Sequence, residues 1–97
     1  MTAIDDIKNE RQRQTDREGW SKDHDDYHAD GELSIAAACY CLSGLGNFTT
    51  IVDRIWPWDR CWWKPKDRRR DLVRAGALIA AEIERLDRAE AWREKNE

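Results

Sequence analysis

Two short clusters hold most of the side chains able to do chemistry. In SKDHDDYHADGEL, residues 21–33, helical spacing would set His24, His28 and Glu32 on one face at successive four-residue steps, within reach of a common ligand or metal. Imidazoles with a carboxylate do bind divalent ions, but no HExxH or comparably specific pattern is present. The same aspartates would equally serve a solvated, capping-rich helix start. Upstream, ERQRQ places Glu10, Arg11, Arg13 and Gln14 on a helix with the same two readings, a polar ligand site or a solvated face.

The second cluster is RIWPWDRCWWKPKDRRRD, residues 54–71, with four tryptophans, two prolines and seven cationic side chains. A solvated loop has no use for indoles, and a helix interior does not tolerate that proline spacing. In one account Trp56, Trp58, Trp62 and Trp63 form a hydrophobic lid on a small bundle. In the other, Trp58, Trp62 or Trp63 stacks on a nucleobase while Lys64, Lys66, Arg68, Arg69 or Arg70 reaches phosphate. Asp67 is a candidate N-cap, so the free amides of a helix start would lie nearby.

The elements that must position these residues are helical. A first helix is expected over residues 2–18, capped by Thr2 and stopped by Gly19. A second is expected over 26–42, where Leu33, Ala36, Ala37 and Tyr40 recur at helical spacing before a Gly-rich stop. The third is expected over 67–93, with Leu72, Gly76, Ile79, Ile83 and Leu86 forming one apolar seam for packing on the second. Gly76 weakens a helix, so its expected use is to admit another backbone, such as that of Ala36, Ala37 and Ala38. Residues 47–66 form a Trp- and Pro-rich connection, within which TTIVDRI alone has strand-like character. The expected class is all-α, a compact bundle of three main helices in one domain.

Composition supports that class. The chain has 97 residues, 40 % apolar and 38 % charged, which suits helices with solvated faces, and six tryptophans argue against disorder. A domain this small with a long seam is expected to complete its core as a homo-oligomer. The net charge of −3 comes from interspersed charges of both signs, so no nucleic-acid polymer is expected as partner. No apolar run reaches membrane-spanning length and the N-terminus lacks signal-peptide order, so a cytosolic protein without a membrane partner is expected. Three cysteines without zinc or CxxC spacing read as reduced thiols.

The ordered set ERQRQ, EGW, HDDYHADGELSIAAACY, WPWD, WWKP and RRDLVRAGALIAAEIERLDR resembles a group of small phage and prophage proteins, over residues 4–88. More remotely, ERxRQ, a helix with a Gly-Glu pair and a helix ending in IERL resemble the MazG-like all-α nucleotide pyrophosphohydrolases. That family holds magnesium with an EExxE helix and an ExxD helix. The resemblance carries the last glutamate of EExxE onto Glu32 and its first two onto His28 and Ala29; ExxD falls on Asp71 and Arg74. A magnesium site would then rest on Glu32 and Asp71, with His28 as a third catalytic residue. An arginine at position 74 repels a hard cation and suits a phosphate instead.

The expectation is therefore a nucleotide-binding protein of the bacterial host cytosol, one that sequesters a nucleotide-derived and possibly cyclic signal and needs no cofactor. Arg11, Gln14, His28, Trp58, Trp62, Trp63, Lys64, Arg69, Arg70 and Arg74 are its candidate ligand contacts. Two alternatives stand beside it: a magnesium-dependent nucleoside triphosphate pyrophosphohydrolase, and a module that docks its Trp-rich connection on a host protein.

Overall fold

A computed structural model describes residues 2–97. Five α-helices follow in order: α1 (Ala3–Glu18), α2 (Lys22–Tyr27), α3 (Glu32–Leu42), α4 (Thr49–Ile55) and α5 (Arg68–Lys95), with a 3-10 turn at Arg60–Trp62. The chain is all-α, with no strand among the described residues. No helix there is long and apolar enough to cross a membrane.

Local chemistry sets the boundaries. Thr2 and Asp5 form a capping box at the start of α1, and Gly19, at φ 72, ends it in the left-handed conformation. Asp67 caps α5 by accepting from the Arg70 amide at 2.8 Å. The single helix expected over 26–42 is instead two. The α2 helix ends at His28, and Gly31, at φ 89, turns the chain before α3 begins; a side chain with Cβ would be strained there. TTIVDRI, which reads as strand-like in isolation, is the helix α4, with Val52 buried.

The α3 and α5 helices pack antiparallel: the Ser34 hydroxyl donates to Glu82 at one end, and Arg74 lies 5.7 Å from the Tyr40 ring at the other. Their contact is made of small residues. Ala36 and Ala37 meet Ala75, Leu78 and Ala81, with Leu33, Tyr40 and Trp20 completing the core and Trp56, Trp58 and Trp63 packed against it. The expected seam is therefore rotated out of the bundle. Leu72, Ile79, Ile83 and Leu86 are exposed, because the alanine surface of α3 fits the neighbouring alanine stripe of α5 more closely. Gly76 does admit a neighbour, but it is the Ile7 side chain of α1, which passes across α5, and not the alanines of α3.

Candidate functional site

Three segments converge on an aromatic cleft of about 300 Å³. The turn at Gly19 sends Trp20 inward. Ser21 caps α2 at the His24 amide, which sets His24 and His28 beside it. Trp20 and His24 stack with centroids 5.5 Å apart and planes 4° from parallel, and His28 meets His24 edge-on at 4.6 Å. From the connection come Trp58, 5.2 Å from His28, together with Asp59 and Trp62. Glu18, the last residue of α1, completes the lining.

Both imidazoles are held from behind. His24 Nδ1 lies 3.2 Å from Asp25 and His28 Nδ1 lies 3.1 Å from Glu32, which orients each ring and leaves its other nitrogen for a ligand. Burial pushes the Glu32 carboxyl up. Its own backbone amide, His28 and the Asp30 amide outweigh that and hold it below its ordinary value. Trp58 Nε1 is buried and has no hydrogen-bond partner in the protein. A donor so placed favours a ligand that brings an acceptor.

A second cleft, of about 470 Å³, lies between α1 and the start of α5 and is lined by Arg13, Arg69 and Arg70 with Asp6, Glu10 and Asp67. At its floor Glu10, wholly buried, accepts from Arg13 at 2.7 and 2.9 Å, from Gln14 at 3.0 Å and from Arg70. Burial alone would raise the Glu10 carboxyl. The hydrogen bond and charge of Arg13, with Arg70 and Gln14, prevail and lower it. Arg69 pairs with Asp6 at 2.6 Å on the rim. One ion pair links the linings of the two clefts, Arg13 of this one reaching Glu18 of the aromatic cleft at 3.3 Å. Lys64 approaches the same Glu18 at 3.6 Å and lies over the Trp62 ring at 5.4 Å.

The sequence-predicted residues thus fall into three sets. His28, Trp58 and Trp62 line the aromatic cleft, while Arg69 and Arg70 line the arginine cleft, with Lys64 at the junction through Glu18. Arg11, Gln14, Trp63 and Arg74 belong to the scaffold. Arg11 pairs with buried Asp25 at 2.8 Å, Gln14 supports Glu10, and Trp63 packs 4.8 Å from Tyr40. Arg74 is buried, donating to the Lys64 carbonyl from beside the Tyr40 ring. The Tyr40 phenol is pushed up by burial, against the opposing effect of the Lys64 amide that it accepts from.

Glu32 and Asp71 do not form one site. The start of α3 lies beside Glu82, eleven residues and about 16 Å along α5 from Asp71. Asp71 is buried and spends its carboxylate on the Lys66 amide at 2.8 Å, and Glu32 spends its own on His28. These residues do not fit a magnesium ion, and no group of three or more potential ligands for a metal stands together among the described residues.

Three residues of the aromatic cleft lie outside those singled out in the sequence: Glu18, Trp20 and Asp59; His24, singled out with His28 and Glu32, does line it. Glu18 carried a signal, because a carboxylate in the last turn of a helix is unfavourable beside the partial negative charge there unless cations such as Arg13 and Lys64 face it. Comparison with protein-family models, curated proteins and solved structures finds no match to this chain.

Proposed function

We propose that the protein binds a nucleotide, with the base in the aromatic cleft and the phosphate toward the arginine cleft, and holds it without turnover. The observation that carries the reading is the Arg13 to Glu18 pair, which sets a residue of the arginine cleft against one of the aromatic cleft. A π-lined slot of this volume suits a base, and every base has a face to stack. The neighbouring guanidiniums match phosphate oxygens in pairs. A phosphate arriving there competes with Glu18 and Asp6 for cations already held in place.

The pyrophosphohydrolase alternative needs Glu32 and Asp71 on one ion, and their separation along α5 counts against it. Binding without hydrolysis, with the resemblance to phage proteins, leads to the fuller reading. A phage protein of this kind would act in the host cytosol as a sponge for a nucleotide-derived signal, cyclic or linear, that bacterial defence depends on.

Calorimetry against linear and cyclic nucleotides, with chelator present, tests this. Trp62→Ala and Arg69→Ala are the informative variants, since both side chains are exposed enough to spare the fold. Losing the stacking indole is expected to weaken binding by about 1–3 kcal/mol. Losing the rim arginine is expected to weaken it by about 1.5–3 kcal/mol. Absence of nucleotide binding refutes the reading, and metal-dependent release of pyrophosphate replaces it with the hydrolase.

A further inference from the structure

The stripe that the bundle leaves outside is long and regular. Leu72, Ile79, Ile83 and Leu86 are 42, 46, 53 and 52 % exposed and follow one face of α5 over about 21 Å. Beside it, Ala38 and Cys41 of α3 join Ile79 and Ile83 around a shallow apolar depression of about 330 Å³. A contiguous apolar face of this kind is a candidate interaction surface.

We infer that this face binds a second copy of the chain, with the two α5 helices antiparallel about a two-fold axis at Ile79. The residues to either side supply the argument. Leu72 and Leu86 stand seven residues before and after Ile79, so the axis sets each against the other's counterpart. Arg68 and Glu90 stand eleven residues before and after it on the same stripe, and both are exposed. Antiparallel pairing brings each arginine to the other copy's glutamate, twice per dimer, where it shares that carboxylate with the exposed Arg93 of the same helix, whereas parallel pairing sets like charges together. Arg68 is already drawn to the groove's edge, where its Nη1 donates to the carbonyls of Cys41 and Ser43. Its remaining guanidinium nitrogens serve the partner.

The footprint is about 21 Å by two helix widths, on the order of 400 Å² per copy in projection, below the roughly 800 Å² per partner of stable interfaces and in the class of weak, transient ones. A weak dimer is therefore expected, one that dissociates within the concentration range of the test. Sedimentation equilibrium of the full chain from about 1 to about 200 µM reads it directly. The expected result is a monomer–dimer equilibrium for the wild type and a monomer for Ile79→Asp, with unchanged helical circular dichroism. Arg68→Glu is expected to weaken the dimer about tenfold, because two attractive pairs become repulsive. The variant also loses the donor to the Cys41 and Ser43 carbonyls, so its melting temperature is read alongside, and rescue by a second substitution separates the pairing from that local loss. Adding Glu90→Arg to that variant should restore association. A wild type that stays monomeric throughout, a dimer indifferent to Ile79→Asp, or a double variant as weak as Arg68→Glu alone would each overturn the inference.

Discussion

Replacing Glu10 by alanine tests whether ERQRQ holds the bundle together. The carboxylate is wholly buried and accepts four hydrogen bonds, three of them from Arg13 and Arg70. Removing one partner of a buried ion pair costs about 3–5 kcal/mol, because the other charge is left uncompensated. Arg13 and Arg70 are each about a third exposed and can turn partly to water, and Arg13 keeps Glu18, so the lower end applies. A loss of about 3 kcal/mol from a domain whose total is about 5–15 kcal/mol lowers the melting temperature by about 12–24 °C. Glu10→Gln, which keeps the shape but not the charge, should fall between. The pH dependence has a definite sign. The folded carboxyl is lowered, so its contribution is complete above the unfolded value of about 4.3 and is lost as pH falls through the folded one. Urea denaturation at neutral and acidic pH should show the gap between wild type and Glu10→Gln closing as the solution is acidified. A cost below about 0.5 kcal/mol at neutral pH, the scale of ordinary surface substitutions, would refute the buried network.

Two further substitutions probe the scaffold under the clefts. A Cβ at Gly76 would lie 2.8 Å from Ile7 Cδ1 and 3.0 Å from Cγ1, so Gly76→Val should lift α1 from α5 and cost about 1–3 kcal/mol by chemical denaturation, part of it recovered by Ile7→Ala. Arg74→Ala should lower the melting temperature by removing the donor to the Lys64 carbonyl and the cation beside Tyr40, at about 1–3 kcal/mol, and Arg74→Lys should not restore it fully because the planar fork is lost.

The helices were legible where local chemistry decided them. Thr2, Gly19 and Asp67 act at the ends where their side chains or backbone freedom are most useful, and their signals lie within a few residues. The break at Gly31 was missed, since the aspartates around it can cap a helix at several registers and leave its start undecided. The rotation of α5 was not legible. Its seam of Leu72, Ile79, Ile83 and Leu86 is the more apolar face, yet the face of Asp71, Arg74, Ala75, Leu78 and Ala81 is buried. Periodicity reports which side chains are apolar; fit to the small residues of α3 determines which face lies inside. The charged residues misled for a related reason. Glu10, Gln14, Asp25, Asp71 and Arg74 are polar and buried, and each has a hydrogen-bond partner there; for Glu10 and Asp25 these include arginines distant in sequence, Arg70 and Arg11. The candidate site was legible in its residue types but not in its partition. Indoles and arginines adjacent along the connection face two clefts because the chain turns at Pro65 and Asp67 into a new helix.

That partition also accounts for the tryptophans. A core of alanines brings α3 and α5 close together but gains little from each side chain, since buried apolar area sets the gain and alanine has little to bury. The deficit is met at the end of the bundle, where Trp20, Trp56, Trp58 and Trp63 supply large surfaces without lengthening any helix. Trp20 and Trp58 then serve twice, with part of each ring in the core and part in the aromatic cleft. Pro57 and Pro65 restrict the connection on either side of Trp58, Trp62 and Trp63 and so lower the entropy lost in fixing it. A wall built from core residues is already ordered before a ligand arrives, so little of the binding free energy goes to arranging it. The lid account of RIWPWDRCWWKPKDRRRD thus rests on Trp56, Trp58 and Trp63 against the core, and the proposed ligand would use the cleft-facing part of Trp58, so the thin alanine core is a physical reason for one stretch to supply both.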